Sequence, residues 1–445
     1  MSDLLSIGAS GVRAYQGALG TVGDNIANTG VAGYSRRAVK LSELTSVNGI
    51  AGRLTSGNGV VVTGVSRATD AYRSAAVRSA GADLARTEAG TVWLDHIQSA
   101  LTGSALGDRL TSFFGAAQSL AADPTSVPGR AVLLETAKTL AASFTTTGQA
   151  LDRGVAELDA RATQAAATVD SLAGALAKVN DGLARAPTGT AAAAQLGDQR
   201  DGLLEQLSAL TDIDAQFDDI GRATVKLGGA SGPTLVQGTE AGHVSYHRLG
   251  GAVSFGVSRA GALNAFTPLG GALAGMAEGA SRLTDTRASL NALAADFTDE
   301  VNAIQANGRD LDGKPGAALF AAGATPTDLS VTLTDPRGIA AAGVGAGSRD
   351  ASNLGVLQSM RGAHGWEAGT TALVGGNAAA LEQRKLVADA QATIRDGAVT
   401  ARDGVSAVDL DNEAVELLRF QQAYQASSRV IQVARETMQT ILDIR

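Results

Sequence analysis

The chain has no cysteine, which excludes disulfides, thiolate nucleophiles and cysteine-ligated zinc and leaves the redox compartment open. Aromatic residues make up only 4% of its 445 residues while glycine supplies 55, a balance that predicts long alanine-rich helices joined by glycine turns rather than a dense aromatic core. Positive charge is in deficit as well. The net charge is -8 and no Lys/Arg run interleaves with aromatics, so neither a nucleic-acid surface nor a polybasic membrane patch is expected. No stretch approaches the roughly 18 consecutive apolar residues of a membrane span, so no membrane insertion is expected. Residues 1–20 carry Asp3 and no base before Arg13, the wrong charge order for a secretory signal peptide. That order predicts a chain that stays in the cytoplasm or leaves by another route.

Catalytic and metal-binding patterns are missing too. His243 and His247 could share a face, but no third ligand is near them in sequence, and surface histidines are the simpler reading. Asp310, Asp312 and Gly313 echo part of a calcium loop, yet its acidic twelfth position is absent and Pro315 intrudes. Asp218 and Asp219 precede Gly221 as turn formers, and Gly343, Gly345 and Gly347 lack the spacing of a dinucleotide loop. Neither G-x-S-x-G nor H-E-x-x-H occurs. The expectation is therefore no catalytic residue, no cofactor and no metal.

What is present is heptad order at both ends. Residues 409–445 run for 37 positions without Gly or Pro. Leu410, Leu417, Tyr424, Ile431 and Met438 fall on one row at spacing seven, with Phe420, Ala434 and Ile441 on the row beside it. One helix of that length is roughly 55 Å long, and a stripe so thin needs partner helices. At the other end Leu5, Val12, Leu19 and Ile26 repeat at seven, with Tyr15 and Val22 as the second row. The chain is expected to leave an axial bundle, build its middle and return. Leu5, Val12, Tyr15, Leu19, Val22, Ile26, Leu417, Phe420, Tyr424, Ile431, Met438 and Ile441 are the candidate assembly residues.

Between the ends the pattern gives five parts: an axial coiled-coil helix over 1–30, a hairpin and helical bundle over 31–211, an antiparallel β insertion over 212–270, return helices with a Gly/Ala-rich segment over 271–405, and the last axial helix over 406–445. Asn28, Gly30 and Gly33 turn the chain sharply, and strands are expected over 38–44 and 60–67 around a turn at Gly57, Asn58 and Gly59. Helices are expected over 70–101, 106–122, 129–183, 191–210, 276–305 and 378–402, with Pro124 and Pro128 closing the second of these. In the third, Leu151, Val155, Leu158, Ala162, Ala165, Val169, Leu172, Leu176, Val179 and Leu183 alternate steps of four and three. Residues 340–376 resist assignment. The fold class is mainly α with a small β insertion, an α+β chain.

Several of these residues together resemble a known family. Asn25-Ile26-Ala27-Asn28 with Gly33-Tyr34-Ser35-Arg36, and Gln421-Gln422-Ala423-Tyr424 with Ser428-Arg429-Val430, are similar to the ends of bacterial flagellar axial proteins. The interior series narrows this: Leu110, Phe113, Phe114 and Arg130; Asp198-Gln199-Arg200-Asp201; Leu235-Val236-Gln237-Gly238; Val301-Asn302 then Leu319-Phe320; and Asp335-Pro336 with Ile339-Ala340-Ala341. In that order it resembles the hook-associated protein 1 family, the hook-filament junction. The resemblance implies a structural, non-enzymatic chain that self-assembles as a homo-oligomeric ring. It also implies contact with the flagellar hook protein and hook-associated protein 3, an export chaperone at the C-terminal region, and type III export to the extracellular flagellum. A hook or rod protein is the near alternative, separable because a hook protein's interior is expected to be mostly sheet. A wall hydrolase and a cytoplasmic coiled-coil scaffold are the distant alternatives.

Overall fold

The computed structural model describes residues 2–44 and 59–443. The chain opens with α1 (Ser2–Ala27), turns into the hairpin β1 (Arg37–Glu43) and β2 (Val60–Arg67), and builds a bundle from α2 (Ala71–Gly103), α3 (Leu106–Ala122), α4 (Val127–Arg185) and α5 (Ala191–Leu210). Seven short strands follow: β3 (Ile213–Phe217), β4 (Ala223–Leu227), β5 (Thr234–Gln237), β6 (Glu240–Ala241), β7 (His243–Leu249), β8 (Ala252–Arg259) and β9 (Ala262–Phe266). The chain returns through α6 (Gly271–Asn307), the pair β10 (Phe320–Ala322) and β11 (Leu329–Val331), α7 (Ser352–His364), α8 (Trp366–Ser406) and α9 (Leu410–Asp443). The expected turn residues Gly57 and Asn58 lie outside the described residues.

Local chemistry sets the helix starts. Asp70 accepts from the backbone N–H of Tyr72 and Arg73 and so caps α2. Ser126 caps α4 through Gly129 N–H at 3.2 Å. Pro128, expected to close the preceding helix, instead sits in the first turn of α4, where its missing N–H leaves no helical bond unmade. The 59 residues of α4 extend about 90 Å. Eight of the ten residues of its four-three stripe are buried and Val155 and Leu172 are half-buried, so α4 is the spine of both hydrophobic cores.

The first core holds a finding that the low aromatic content concealed. Phe113, Phe114, Phe144, Phe297, Phe320 and Trp366 are concentrated in one knot, with Phe297 at its centre and the other five ring centroids 5.4–6.3 Å away. Trp366 stacks on Phe114 with the planes 5° apart. The aromatics are few but not dispersed, which corrects the expectation that they would form no dense core.

The second core lies between α4, α5 and the β insertion. That insertion is two antiparallel sheets, ordered β3-β4-β5-β6 and β7-β8-β9, rather than one. Strands β3 and β9 carry weak local signals, since Ile213–Phe217 follows a helix with no glycine break and Ala262–Phe266 has no β-branched residue. Asn180, fully buried on α4, fixes the insertion: its amide donates to Ala223 O and Gly238 O at 2.8 Å and accepts from Ala223 N–H at 2.8 Å. Replacing Asn180 by Leu should cost about 2–3 kcal/mol, because buried backbone groups lose their partners. Amide exchange would show this as faster exchange at Ala223, with α3 unchanged.

Two departures trace to glycine. Helix α6 begins at Gly271, five residues before the expected Met276. Gly275 does not break it; a Cβ there would stand 2.3 Å from Arg86 O of α2, so the glycine serves close packing. Residues 340–376 resolve into buried Ala340–Ala342, α7, and the first turns of α8, with Gly365 at φ +62° separating the two helices.

Candidate assembly face and the polar joint beneath it

Helices α1 and α9 pack antiparallel. Gly8 faces Ile431, Gly11 faces Ser427, and Tyr15 meets Phe420 at 6.3 Å between ring centroids. The contact is close because the buried row of α1 is small: Gly8, Gly11, Ala14, Ala18 and Val22. A Cβ at Gly11 would stand 2.5 Å from Ser427 Oγ. The row of larger residues behaves differently. Leu5, Val12 and Leu19 are half-buried and Ile26 is exposed. On α9, Leu417, Phe420, Tyr424 and Ile431 are half-buried, while Met438 and Ile441 are exposed. Of the expected assembly residues, Val22, Tyr15, Phe420 and Ile431 therefore already serve contacts within one subunit. The reason is steric, since small side chains let two helix axes approach and large ones hold them apart.

Below this pair, the buried row of α1 ends in a polar residue. Asn25 is fully buried and uses both ends of its amide. Its nitrogen donates to Arg37 O at 2.8 Å and to Glu413 Oε2 at 3.0 Å; its oxygen accepts from Arg37 N–H at 3.0 Å and Tyr34 O–H at 2.9 Å. Glu413, buried on α9, takes Arg36 Nε on its other oxygen at 2.6 Å. Burial pushes the Tyr34 phenol above its ordinary pKa despite the Arg37 guanidinium 4.8 Å over its ring, so the hydroxyl remains a neutral donor.

The joint continues into the bundle through ion pairs. Asp198 of α5 accepts from Arg37 at 3.3 Å and Arg67 at 2.8 Å, and Arg67 also reaches Asp201 at 2.6 Å and Ser35 Oγ at 3.3 Å. The backbone agrees, with Arg36 N–H donating to Ser406 O at 2.8 Å. Arg37 and Asp198, 161 residues apart, thus belong to one network, in which Gly30 at φ +77° and Gly33 at φ +78° make the turns. Sequence reasoning missed Glu413 and Arg67. Glu413 had a signal: it extends the row of Phe420, Ala434 and Ile441 backward by seven, and an acid on an apolar row needs a buried cation or donor.

The discounted motifs have ordinary partners. His243 is exposed, with Nδ1 3.4 Å from Asp170, and His247 is exposed on the same strand. Asp310 accepts from Asp312 and Lys314 N–H in a turn completed by Gly313 at φ +77°. Asp218 accepts from Ile220 and Arg222 N–H. Two members of the interior series are polar side chains that hold backbone. Asn302 accepts from Leu319 and Phe320 N–H at 2.9 and 3.0 Å. Arg130, whose guanidinium pKa burial lowers, donates to Pro124 O at 2.8 Å and to Ile339 O. Among the described residues no helix is long and apolar enough to cross a membrane.

Paired terminal helices on a helical bundle with a β insertion are the arrangement that the resemblance to flagellar axial proteins implies. In agreement, residues 404–444 match the family described as flagellar basal body rod FlgEFG protein C-terminal. Residues 93–320, half of the chain, match the flagellar hook-associated protein FlgK helical domain, and the chain belongs to that family. It is 32% identical to flagellar hook-associated protein 1 of Salmonella typhimurium over 75% of this chain and 63% of that protein, and 29% identical to the Escherichia coli protein over 73% and 60%. The alignments thus span less than two thirds of these relatives' length. The Bacillus subtilis protein of the same name is 23% identical over 97% of this chain and 96% of its own. The fold is similar to that of the flagellar hook junction protein FlgK from Burkholderia pseudomallei, with TM-score 0.50 at 23% identity over 56% of this chain and 46% of that one.

Proposed function

We propose that this chain is a structural component of the bacterial flagellum that joins hook to filament, and that copies assemble into a ring through α1 and α9. One observation carries the reading. Among the described residues of α9, a helix of 34 residues, only Glu413 and Ala434 are buried. Leu418 and Val433 are each 59% exposed, and Val415 and Leu442 more so. A helix this long with its second side bare gains its remaining apolar burial from neighbouring copies. The similarity to hook-associated proteins supports the flagellar hook protein, hook-associated protein 3 and an export chaperone as further partners. It likewise supports export by the type III route to the outside of the cell. The hook or rod alternative shares the C-terminal match, but the helical interior over 93–320 favours the junction reading.

The test is a variant with Leu418 and Val433 both changed to Ser. Both side chains are exposed in the subunit, so its melting temperature should stay within about 1–2 °C of the parent. Assembly should lose roughly 1.5–3 kcal/mol per side chain. Secreted protein should then accumulate in the medium, absent from hooks, with filament subunits leaking alongside it. Shear-resistant filaments of normal length would show that the bare side of α9 is not an assembly surface.

A further inference from the structure

Among the described residues, neither hydrophobic core takes in a side chain from α1, the β1–β2 hairpin or α9. These elements form a terminal unit of their own, which Asn25 and Glu413 knit together from inside. What ties that unit to the bundle is polar. Arg37 and Arg67 reach Asp198 and Asp201 of α5, Arg36 N–H donates to Ser406 O, and Val65 N–H donates to Gly189 O at 2.6 Å in the α4–α5 turn. Parts that meet through a small polar surface move against each other unless something holds them.

The chain crosses between the two parts over 68–70, after β2, and over 407–409, after α8. Each crossing ends in an aspartate that caps the next helix. Asp70 does so for α2, and Asp409 accepts from Asp411 and Asn412 N–H at 2.9 and 3.3 Å to cap α9. A capped helix starts afresh, so no helical hydrogen-bond ladder runs through either crossing to stiffen it. The backbone of Arg36 holds the two side by side, its N–H on Ser406 O and its C=O accepting from Ala68 N–H, both at 2.8 Å. Next to them opens a cleft of about 400 Å³, with Val31 and Tyr34 on the side of the terminal unit and Asp201, Glu205 and Arg402 on that of the bundle.

The ion pairs that hold this arrangement are unequal. Arg67 grips Asp198 at 2.8 Å and Asp201 at 2.6 Å, and it lies so close over Gly197 that a Cβ there would strike its guanidinium. Arg37 makes one longer pair, at 3.3 Å, and its Nε is buried without a hydrogen-bond partner. An unsatisfied buried donor raises the free energy of the seated position. We propose that the terminal unit swings as one body on the paired crossings, and that Arg67 on Asp198 and Asp201 is the latch that fixes its tilt. The cleft gives it room to turn. The hinge belongs to the single subunit, whatever that subunit assembles with, so its failure would leave the function proposed above standing.

Because the chain has no cysteine, pairs of spin labels can be attached to introduced thiols without background. Gln195→Cys on α5 with Gln422→Cys on α9 reads the distance across the hinge, and Gln16→Cys on α1 with Gln422→Cys reads it within the terminal unit; all three side chains are exposed. Arg67→Gln opens the latch while Asp198 keeps Arg37 and Asp201 keeps Arg200, so neither carboxylate is left without a cation. In the full-length protein this change should widen the distance distribution across the hinge at least about twofold and leave the one within the unit as in the parent. Should Arg67→Gln not fold, Gly197→Ala displaces the same guanidinium with every charge kept and the helix favoured, and the same widening is expected. An unchanged distribution across the hinge would overturn the proposal. So would equal widening within the terminal unit, because α1 and α9 would then be parting from one another rather than swinging together.

Discussion

Phe297→Ala should lower the stability of the helical bundle by about 3–5 kcal/mol, the largest effect expected of a single truncation in this chain. Its ring has five aromatic neighbours, and a cavity there cannot collapse because Phe113 and Phe114 from α3, Phe144 from α4 and Trp366 from α8 all anchor on it. Edge-to-face pairs such as Phe297 with Trp366, at 86°, add roughly 0.5–1.5 kcal/mol each beyond buried area. For a unit of this size calorimetry should record a fall of roughly 5–10 °C. Phe297→Leu keeps most of the volume and should lose less than about half as much. Equal losses for both variants would mean that shape at the knot, rather than volume, controls stability.

Asn25→Ala should disconnect the terminal helices from the hairpin without touching that knot. It removes the hydrogen bonds that the amide donates and accepts at a fully buried site and leaves Glu413 with Arg36 as its remaining partner. Uncovering a buried carboxylate and two backbone groups costs about 2–4 kcal/mol. The expected readout is release of the protein from hooks at a lower urea concentration, with the melting of the bundle unchanged. Asn25→Asp should be worse near neutral pH, because a second carboxylate would lie about where the amide nitrogen now sits, 3.0 Å from Glu413 Oε2. Two such acids share a proton, so the closed joint binds protons more tightly than the opened one, and the joint, with the retention that depends on it, should strengthen as pH falls. An Asn25→Asp variant that is insensitive to pH would mean that the pair is hydrated.

Much of the architecture was readable from periodicity. The four-three steps of residues 151–183 can be buried only as a helix, and the start and stop signals around 70, 106, 191 and 210 fall where α2, α3 and α5 begin or end. Composition was a weaker guide, because it counts aromatics without saying whether they meet. Glycine was ambiguous in the same way: Gly30 and Gly33 are turns, whereas Gly275 lies inside a helix to admit a neighbour's backbone.

The candidate site divides along the same line. Heptad spacing by itself determined that both ends are long helices with narrow apolar stripes, because that property depends only on residues three, four and seven positions apart. Which stripe would be covered depends on how closely two helices can approach, and the tertiary structure gave that place to Gly8, Gly11 and Ala14 rather than to Leu5, Val12 and Leu19. Nor does local spacing encode the joint. Asn25 and Glu413 are 388 residues apart, and a hydrogen bond extends only about 3 Å, so their pairing exists once the folded backbone has brought α1, the hairpin, α5 and α9 to one point.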